Sequence, residues 1–297
     1  GYYSHSARKP DSDLELDGQP YDEPGYLTDL ISSRAAQYVR DRAHARQPFI
    51  LSVHYTAPHW PWETRSQGGI DPEISRDIAH LDGGNVETYQ TMIREMDEGI
   101  GWVVDALKET GQLEDTVIIF TSDNGGERFS DNWPLVGGKM DLTEGGIRVP
   151  YIVHWPQGIQ SPGRASEQHS LTMDWTATIL DIAGVKPPSG HSLDGVSLRL
   201  TFDQPDATFE RPMYWRMKHN DQKAFRAGDW KYLKINEYEY LFNIERDARE
   251  RANQAKREPE RLAAMRSQYE AWASQIPPVP DDARVSLIYN LGDMPAR

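Results

Sequence analysis

Apolar residues fall along this chain in two alternating periods, and the alternation outlines a fold. Leu27, Leu30, Ile31, Ala35, Tyr38 and Val39 recur at helical spacing, with Thr28 placed as an N-cap, ahead of the charged stretch RDRAHARQ. Phe49 to Tyr55 is then a continuous apolar run, the pattern of a strand covered on both faces. The cleanest helical stripe begins at Asn85. Tyr89, Met92, Ile93, Met96, Ile100, Val103, Val104 and Leu107 follow it, and Gly111 ends it. Glu95, Asp97, Glu98 and Lys108 read as its solvated face. Strand chemistry returns at Val117–Thr121 and at Pro150–Trp155. Leu171, Trp175, Ile179, Leu180 and Ile182 outline another helix, stopped by Gly184. Helix and strand in this order predict a doubly wound α/β arrangement.

Near residue 208 the pattern changes. RPMYWRM, KAFRAGDWKYLKI and EYEYLFNI are short, aromatic and broken by turns, which predicts an antiparallel sheet. Pro259 opens a helix whose Leu262, Met265, Tyr269 and Trp272 stripe is expected to pack on that sheet. The predicted division is 1–205 for the α/β part and 206–297 for a small C-terminal subdomain. Residues 1–25, 63–84 and 186–204 read as loop, and 281–297 shows no clear period.

Composition narrows the function. The chain has 297 residues, 38% of them hydrophobic, with nine tryptophans and fourteen tyrosines, enough for a substantial core. A formal net charge of -14 and the absence of a basic stripe argue against a nucleic-acid partner. An anionic small substrate stays open, because a metal and a lysine dominate the field inside a pocket. There is no cysteine, which excludes disulfides, thiolate catalysis and iron–sulfur clusters within this chain. No apolar run approaches the length of a membrane span. The polar first residues carry no signal-peptide pattern and look like the interior of a longer protein.

The candidate chemistry concentrates between Asp115 and Lys139. Asp123 and Asn124 stand at the C-terminal lip of the VIIFT strand, where α/β sheets place their ligands. Side by side they offer two hard oxygen donors of the kind Ca²⁺ or Mg²⁺ takes, although an Asx turn has the same spacing. His59 follows another strand end, and Lys139 follows Gly137–Gly138.

Four segments, PFILSVHYTAPHWPW, EMDEGIGWVVDALKETGQLEDTVIIFTSDNGG, GGKMDLTEGGIRVPYIVHWP and TMDWTATILDIAG, occur in this order. With RAGDWKYL and YLFNIERD, the chain resembles the type I, formylglycine-dependent sulfatases of the alkaline-phosphatase-like superfamily, over about residues 25–245. The resemblance implies a mixed sheet flanked by helices, with a small C-terminal subdomain of antiparallel strands and a helix. It implies Asp123 and Asn124 as ligands of a divalent cation, Ca²⁺ with Mg²⁺ as the alternative. Lys139 is then a contact to a sulfate oxygen, and His59 a sulfate contact and proton donor near the leaving oxygen. Trp60, Trp62 and Trp133 are candidates for a sugar- or ring-binding rim, with core packing an equal alternative for Trp60, and Asp131 and Asn132 are expected to shape the substrate rim. Glu144 and Arg148 read as a scaffold ion pair or loop lock, His54 as structural, and His169 and His191 as bystanders.

The resemblance also implies groups this chain lacks: a formylglycine made from Cys or Ser in a C/S-x-P-x-R motif, a second acidic pair, and a further lysine and histidine. A C-terminal two-thirds of a sulfatase is therefore expected, the rest lying upstream or on a companion chain. The expected activity is hydrolysis of an aryl or carbohydrate sulfate ester, in a periplasmic or secreted protein. A phosphate or phosphonate ester hydrolase of the same superfamily is one alternative, and a non-catalytic binding protein on the same fold another. Residues 1–297 expressed alone are predicted to fold poorly and to be inactive, since a sheet without its first strands exposes an apolar edge. Arylsulfate turnover by that fragment at the rate of a complete enzyme would overturn this.

Overall fold

The structure, a computed structural model, describes residues 1–3, 5, 13–45, 47–68, 84–204 and 206–283. Most of the loop expected over 63–84 and most of the tail expected over 281–297 lie outside the described residues. The chain forms two compact units, Gly1–Glu114 and Asp115–Val285.

In the first unit a short hairpin, β1 (Glu15–Leu16) with β2 (Gln19–Pro20), precedes two packed helices, α1 (Leu27–Ala43) and α2 (Val86–Glu109). Asn85 caps α2 by accepting the Thr88 N–H at 2.8 Å, the geometry its short amide favours. Thr28 does not cap α1: that helix starts after Tyr26, and Thr28 is buried inside its first turn. The buried face of α1 is Thr28, Ser32, Ala35, Ala36 and Val39, smaller residues than the predicted stripe. The reason is close helix approach. A Cβ on Gly99 of α2 would stand 2.0 Å from Ser32 Oγ, which itself donates to the Thr28 carbonyl and lies 3.0 Å from Tyr55 Oη.

Two further expectations change here. Glu95 is buried, not solvated, because the chain crosses α2 at Arg65, whose backbone N–H donates to both Glu95 oxygens. Phe49–Tyr55 joins no strand ladder among the described residues, and its burial alternates residue by residue, with Ile50 75% exposed. It is thus not covered on both faces, since nothing described pairs with it.

The second unit begins with β3 (Ile118–Thr121), which pairs antiparallel with β4 (Tyr151–His154) in the register Ile118↔His154 and Thr121↔Tyr151. A doubly wound arrangement would make consecutive strands parallel, joined by a crossover helix. The only helix between these strands is the four-residue α3 (Glu144–Ile147), so no crossover carries the chain back to the starting end. Helices α4 (Asp174–Ile182) and α5 (Arg199–Asp203) cover one face: Trp175, Ile179, Ile182 and Phe202 pack with Ile119, Tyr151 and Val153.

The last strands, β5 (Met213–Met217), β6 (Gln222–Ala227), β7 (Trp230–Ile235) and β8 (Tyr238–Asn243), form an antiparallel meander in sequence order. Phe225, Tyr232 and Leu241 pack against Met265 and Tyr269 of α6 (Pro259–Ala273), with Leu262 and Trp272 beside them, as the stripe predicted. Ala224, Leu233 and Phe242, on the opposite face, pack against Leu142 of the long β3–β4 connection. This sandwich-like arrangement of helix, sheet and loop is the mixed α/β architecture expected of alkaline-phosphatase-like folds.

The glycine contact between the two helices of the first unit is testable. Gly99→Ala is expected to destabilise the protein by about 1–3 kcal/mol through overpacking. Gly101→Ala, whose Cβ would meet nothing within 4 Å, is expected to be neutral or to stabilise by up to about 1 kcal/mol through helix propensity. Urea unfolding of both variants checks the pair, and equal effects would show that the close approach is absent.

Candidate functional site

β3 ends at Thr121, and the chain turns immediately through Ser122, Asp123 and Asn124. Asp123 is exposed, and Asn124 Nδ2 donates to Asp123 Oδ1 at 2.7 Å, leaving Asn124 Oδ1 as the acceptor of that amide. The turn is pressed against the β3–β4 connection. Gly125 N–H donates to the Gly146 carbonyl at 2.8 Å, and a Cβ on Gly125 would stand 1.7 Å from the Gly145 oxygen. Only glycine permits this backbone-to-backbone contact. Gly137, at φ +79, turns the chain so that the Lys139 N–H reaches the Gly126 carbonyl at 3.1 Å. Gly125, Gly126, Gly137, Gly145 and Gly146 thus form one clasp, which fixes Asp123, Asn124 and Lys139 on a common frame.

Asn132 closes the clasp. Its Oδ1 accepts the Gly126 N–H at 3.2 Å, and its Nδ2 donates to the Gly126 and Gly137 carbonyls at 3.0 and 3.1 Å. The expectation that Asn132 forms substrate rim is therefore corrected: its amide is consumed in holding the two loops together. Asp131 accepts the Trp133 N–H at 2.9 Å, which fixes that turn. Lys139 is largely covered, its side chain 16% exposed, and its Nζ lies 3.4 Å from Glu127 Oε2. Sequence reading passed over Glu127, although an acid directly after the double glycine was a signal of charge pairing.

Glu144 is a loop lock, but not with Arg148. Its carboxylate lies 2.9 Å from Lys231 Nζ and 3.6 Å from Arg226, and Lys231 also lies 2.9 Å from Glu250. Glu250 in turn accepts the Glu144 backbone N–H at 2.7 Å. Burial pushes the Glu250 carboxyl upward against the opposing pull of Lys231. His169, taken as a bystander, joins this cluster: Arg226 donates to its Nε2 at 2.7 Å, and burial followed by the Arg226 charge holds the imidazole below its ordinary value. Gln222 adds two bonds to the same connection, accepting from Leu142 N–H and donating to the Met140 carbonyl. Because these partners lie far from Glu144 in sequence, no local pattern announced them.

His59 belongs to the first unit. Its ring is exposed, and Nδ1 lies 2.6 Å from the Trp60 carbonyl, so the proton sits on Nδ1 in the neutral tautomer. Tyr2 Oη donates to the His59 carbonyl, which fixes the backbone there. Trp62 is buried, whereas Trp133 is 70% exposed. His54 is exposed and lies 2.8 Å from Ser52 Oγ, and His191 is exposed.

A carboxylate and an amide oxygen are the donor chemistry of Ca²⁺, which takes six to eight such oxygens, so Asp123 and Asn124 fit as part of its shell. Among the described residues no group of three or more His, Cys, Asp or Glu side chains stands ready to hold a metal by itself.

The model of the Sulfatase family matches residues 1–185. The chain belongs to the sulfatase family. A second model, of the C-terminal part of N-sulphoglucosamine sulphohydrolase, matches residues 138–270. The rat N-acetylgalactosamine-6-sulfatase is 32% identical over 234 residues, which are 74% of this chain and 42% of that protein. The mouse steryl-sulfatase is 34% identical over 63% of this chain and 29% of its own length. Among solved structures, Ps i-CgsB superposes with a TM-score of 0.74 at 31% identity, covering 87% of this sulfatase chain and 57% of its own. The chain therefore spans less than half the length of these curated relatives.

The clasp carries a prediction. Asn132→Asp removes both donated bonds and sets a carboxylate against two carbonyl oxygens, at an expected cost of about 2–3 kcal/mol. Hydrogen exchange at the Gly126 and Lys139 amides should quicken at least about tenfold, while β6 and β7 keep their protection. Unchanged exchange at both amides would show that Asn132 does not hold the loops.

Proposed function

We propose that this chain supplies the metal-binding and sulfate-contacting part of a sulfuric ester hydrolase. The single observation that carries this reading is the clasp, which holds two hard oxygen donors and a lysine on one frame within a sulfatase-family chain. In this reading Asp123 and Asn124 hold a Ca²⁺ ion, or Mg²⁺, which when bound polarises the sulfate group. Lys139 neutralises the nonbridging oxygens, and the charge developing on them in the transition state strengthens that contact. His59, carrying a second proton on Nε2 as the imidazolium, delivers that proton to the departing alcohol oxygen and is left as the neutral Nδ1–H ring, its orientation set by the Trp60 carbonyl on Nδ1.

The nucleophile and the remaining ligands are proposed to lie on a segment outside this sequence, upstream or on a companion chain. The coverage of less than half of the relatives supports this, as does the Phe49–Tyr55 run without a described strand partner. A periplasmic or secreted location is proposed from the family resemblance; among the described residues no helix is long and apolar enough to cross a membrane. A carbohydrate ester is favoured over an aryl ester, because a solved structure of Ps i-CgsB at 31% identity is described as a complex with k-i-k-neocarrahexaose.

The test uses the complete gene product, assayed on matched sulfate and phosphate esters. Sulfate release is expected to exceed phosphate release, and Asp123→Ala or Lys139→Ala to lower kcat/KM on the sulfate ester by about 100-fold or more. Chelation of divalent cations should abolish turnover. His59→Gln is expected to cost more with a poor alkyl leaving group than with a nitrophenyl one, the signature of a lost proton donor. Faster turnover of the phosphate ester would favour a phosphate or phosphonate hydrolase instead, and no turnover with retained ligand binding would favour a binding protein.

A further inference from the structure

We propose that Trp133 and Arg249 form a glycan subsite, taking a sugar ring on the open face of the indole and an anionic substituent on the guanidinium. This deepens the sulfatase reading and rests on it for the location of the scissile ester. Trp133 follows Asn132, whose amide touches both Gly126 and Gly137. The indole therefore starts one residue from the clasp that carries Asp123, Asn124 and Lys139.

The guanidinium carbon of Arg249 lies 3.9 Å from the centre of the Trp133 ring. The ring is nonetheless 70% exposed, so the face away from Arg249 is open. A flat exposed indole suits the apolar face of a pyranose, and a guanidinium stacked on an aromatic keeps its N–H edge directed outward for a sulfate or carboxylate.

Among the described arginines stacked on an indole, charge pairing singles Arg249 out, since Arg65 over Trp102 and Arg261 over Trp230 each also face a carboxylate. In a chain with 46 acidic and 32 basic side chains, Arg211, Arg226 and Arg266 each face a carboxylate. Among the described residues no carboxylate pairs with Arg249. Both partners are also held in place before any ligand arrives. Asp131 and Asn132 fix the turn at Trp133. On the other side, Asp247 Oδ2 accepts the Arg251 and Ala252 N–H groups, and the neighbouring Glu250 is locked to Lys231. Rigid groups lose little freedom on binding, which favours a recognition role.

The experiment compares the complete wild-type protein with Trp133→Ala, Arg249→Gln and Arg249→Lys, using a defined sulfated oligosaccharide and 4-nitrophenyl sulfate. Oligosaccharide affinity, measured by calorimetry, is expected to weaken about tenfold in the Ala and Gln variants and less in the Lys variant, which keeps the charge. The kcat/KM for the oligosaccharide should fall about tenfold further than that for 4-nitrophenyl sulfate. Unchanged oligosaccharide affinity would overturn the subsite. So would parallel losses on both substrates together with a lowered Tm, because the indole would then be packing against the rest of the protein. Absence of any sulfate hydrolysis would refute the sulfatase reading alone, since calorimetry still decides whether these two residues bind the glycan.

Discussion

Lys231 contributes an ammonium with no solvent exposure, held between the carboxylates of Glu144 and Glu250, and the site loops depend on it. With Arg226 beside Glu144, the cluster contains two acids and two bases and is close to neutral. An ammonium alone in such a place would be heavily penalised, and removing one member of a buried pair typically costs about 3–5 kcal/mol. Such a cluster is a poor source of net stability compared with packed hydrocarbon. Its effect is register: Glu144 opens α3, and only one placement of α3 on β7 brings all four charges together.

From that anchor the positioning runs outward through the backbone. α3 sets Gly145 and Gly146, Gly146 receives the Gly125 N–H, and Gly125 follows the Asp123–Asn124 pair directly. On the other side of the clasp, the same connection carries Gly137 and Lys139, and Leu142 seats it in the apolar face of the C-terminal sheet. A sheet far along the sequence thus fixes the geometry of loops that begin at β3. Side chains carried on a frame of backbone hydrogen bonds and glycine contacts have little freedom to drift, which is what the proposed preorganised charge stabilisation requires.

What the sequence made legible follows from where the partners lie. Strand Val117–Thr121 and the Leu262–Trp272 stripe were readable because apolar periodicity is a local signal, and both pack as it implied. Asp123, Asn124 and Lys139 were readable as types in a motif, and their common frame was not, because it rests on contacts between glycine backbones. Thr28, Glu95 and the face of α1 misled for one reason: burial there is set by how closely α2 and the 62–65 segment approach, and Gly99 gives no hydrophobic signal. The antiparallel β3–β4 pair was hidden because its connection was long enough for a crossover yet contains no crossover helix. Glu144 was correctly seen as a lock with the wrong partner, since Arg148 is near in sequence whereas Lys231 is near in space.

The overall charge of -14 is at odds with the proposed sulfate substrate, and the conflict resolves on the scale of distances. At physiological ionic strength the field of exposed carboxylates is screened within about 8 Å. An anion arriving at the Asp123 turn therefore responds mainly to the charges within that radius. Lys139 is the positive group fixed on the clasp, and its partial cover from water strengthens its pull on an anion. The exposed Asp123 carboxylate works the other way, and in the proposed reading a divalent cation would offset it. The acidity of the chain thus weighs little at this turn, where Lys139, paired with Glu127, and the Asp123 carboxylate set the local field.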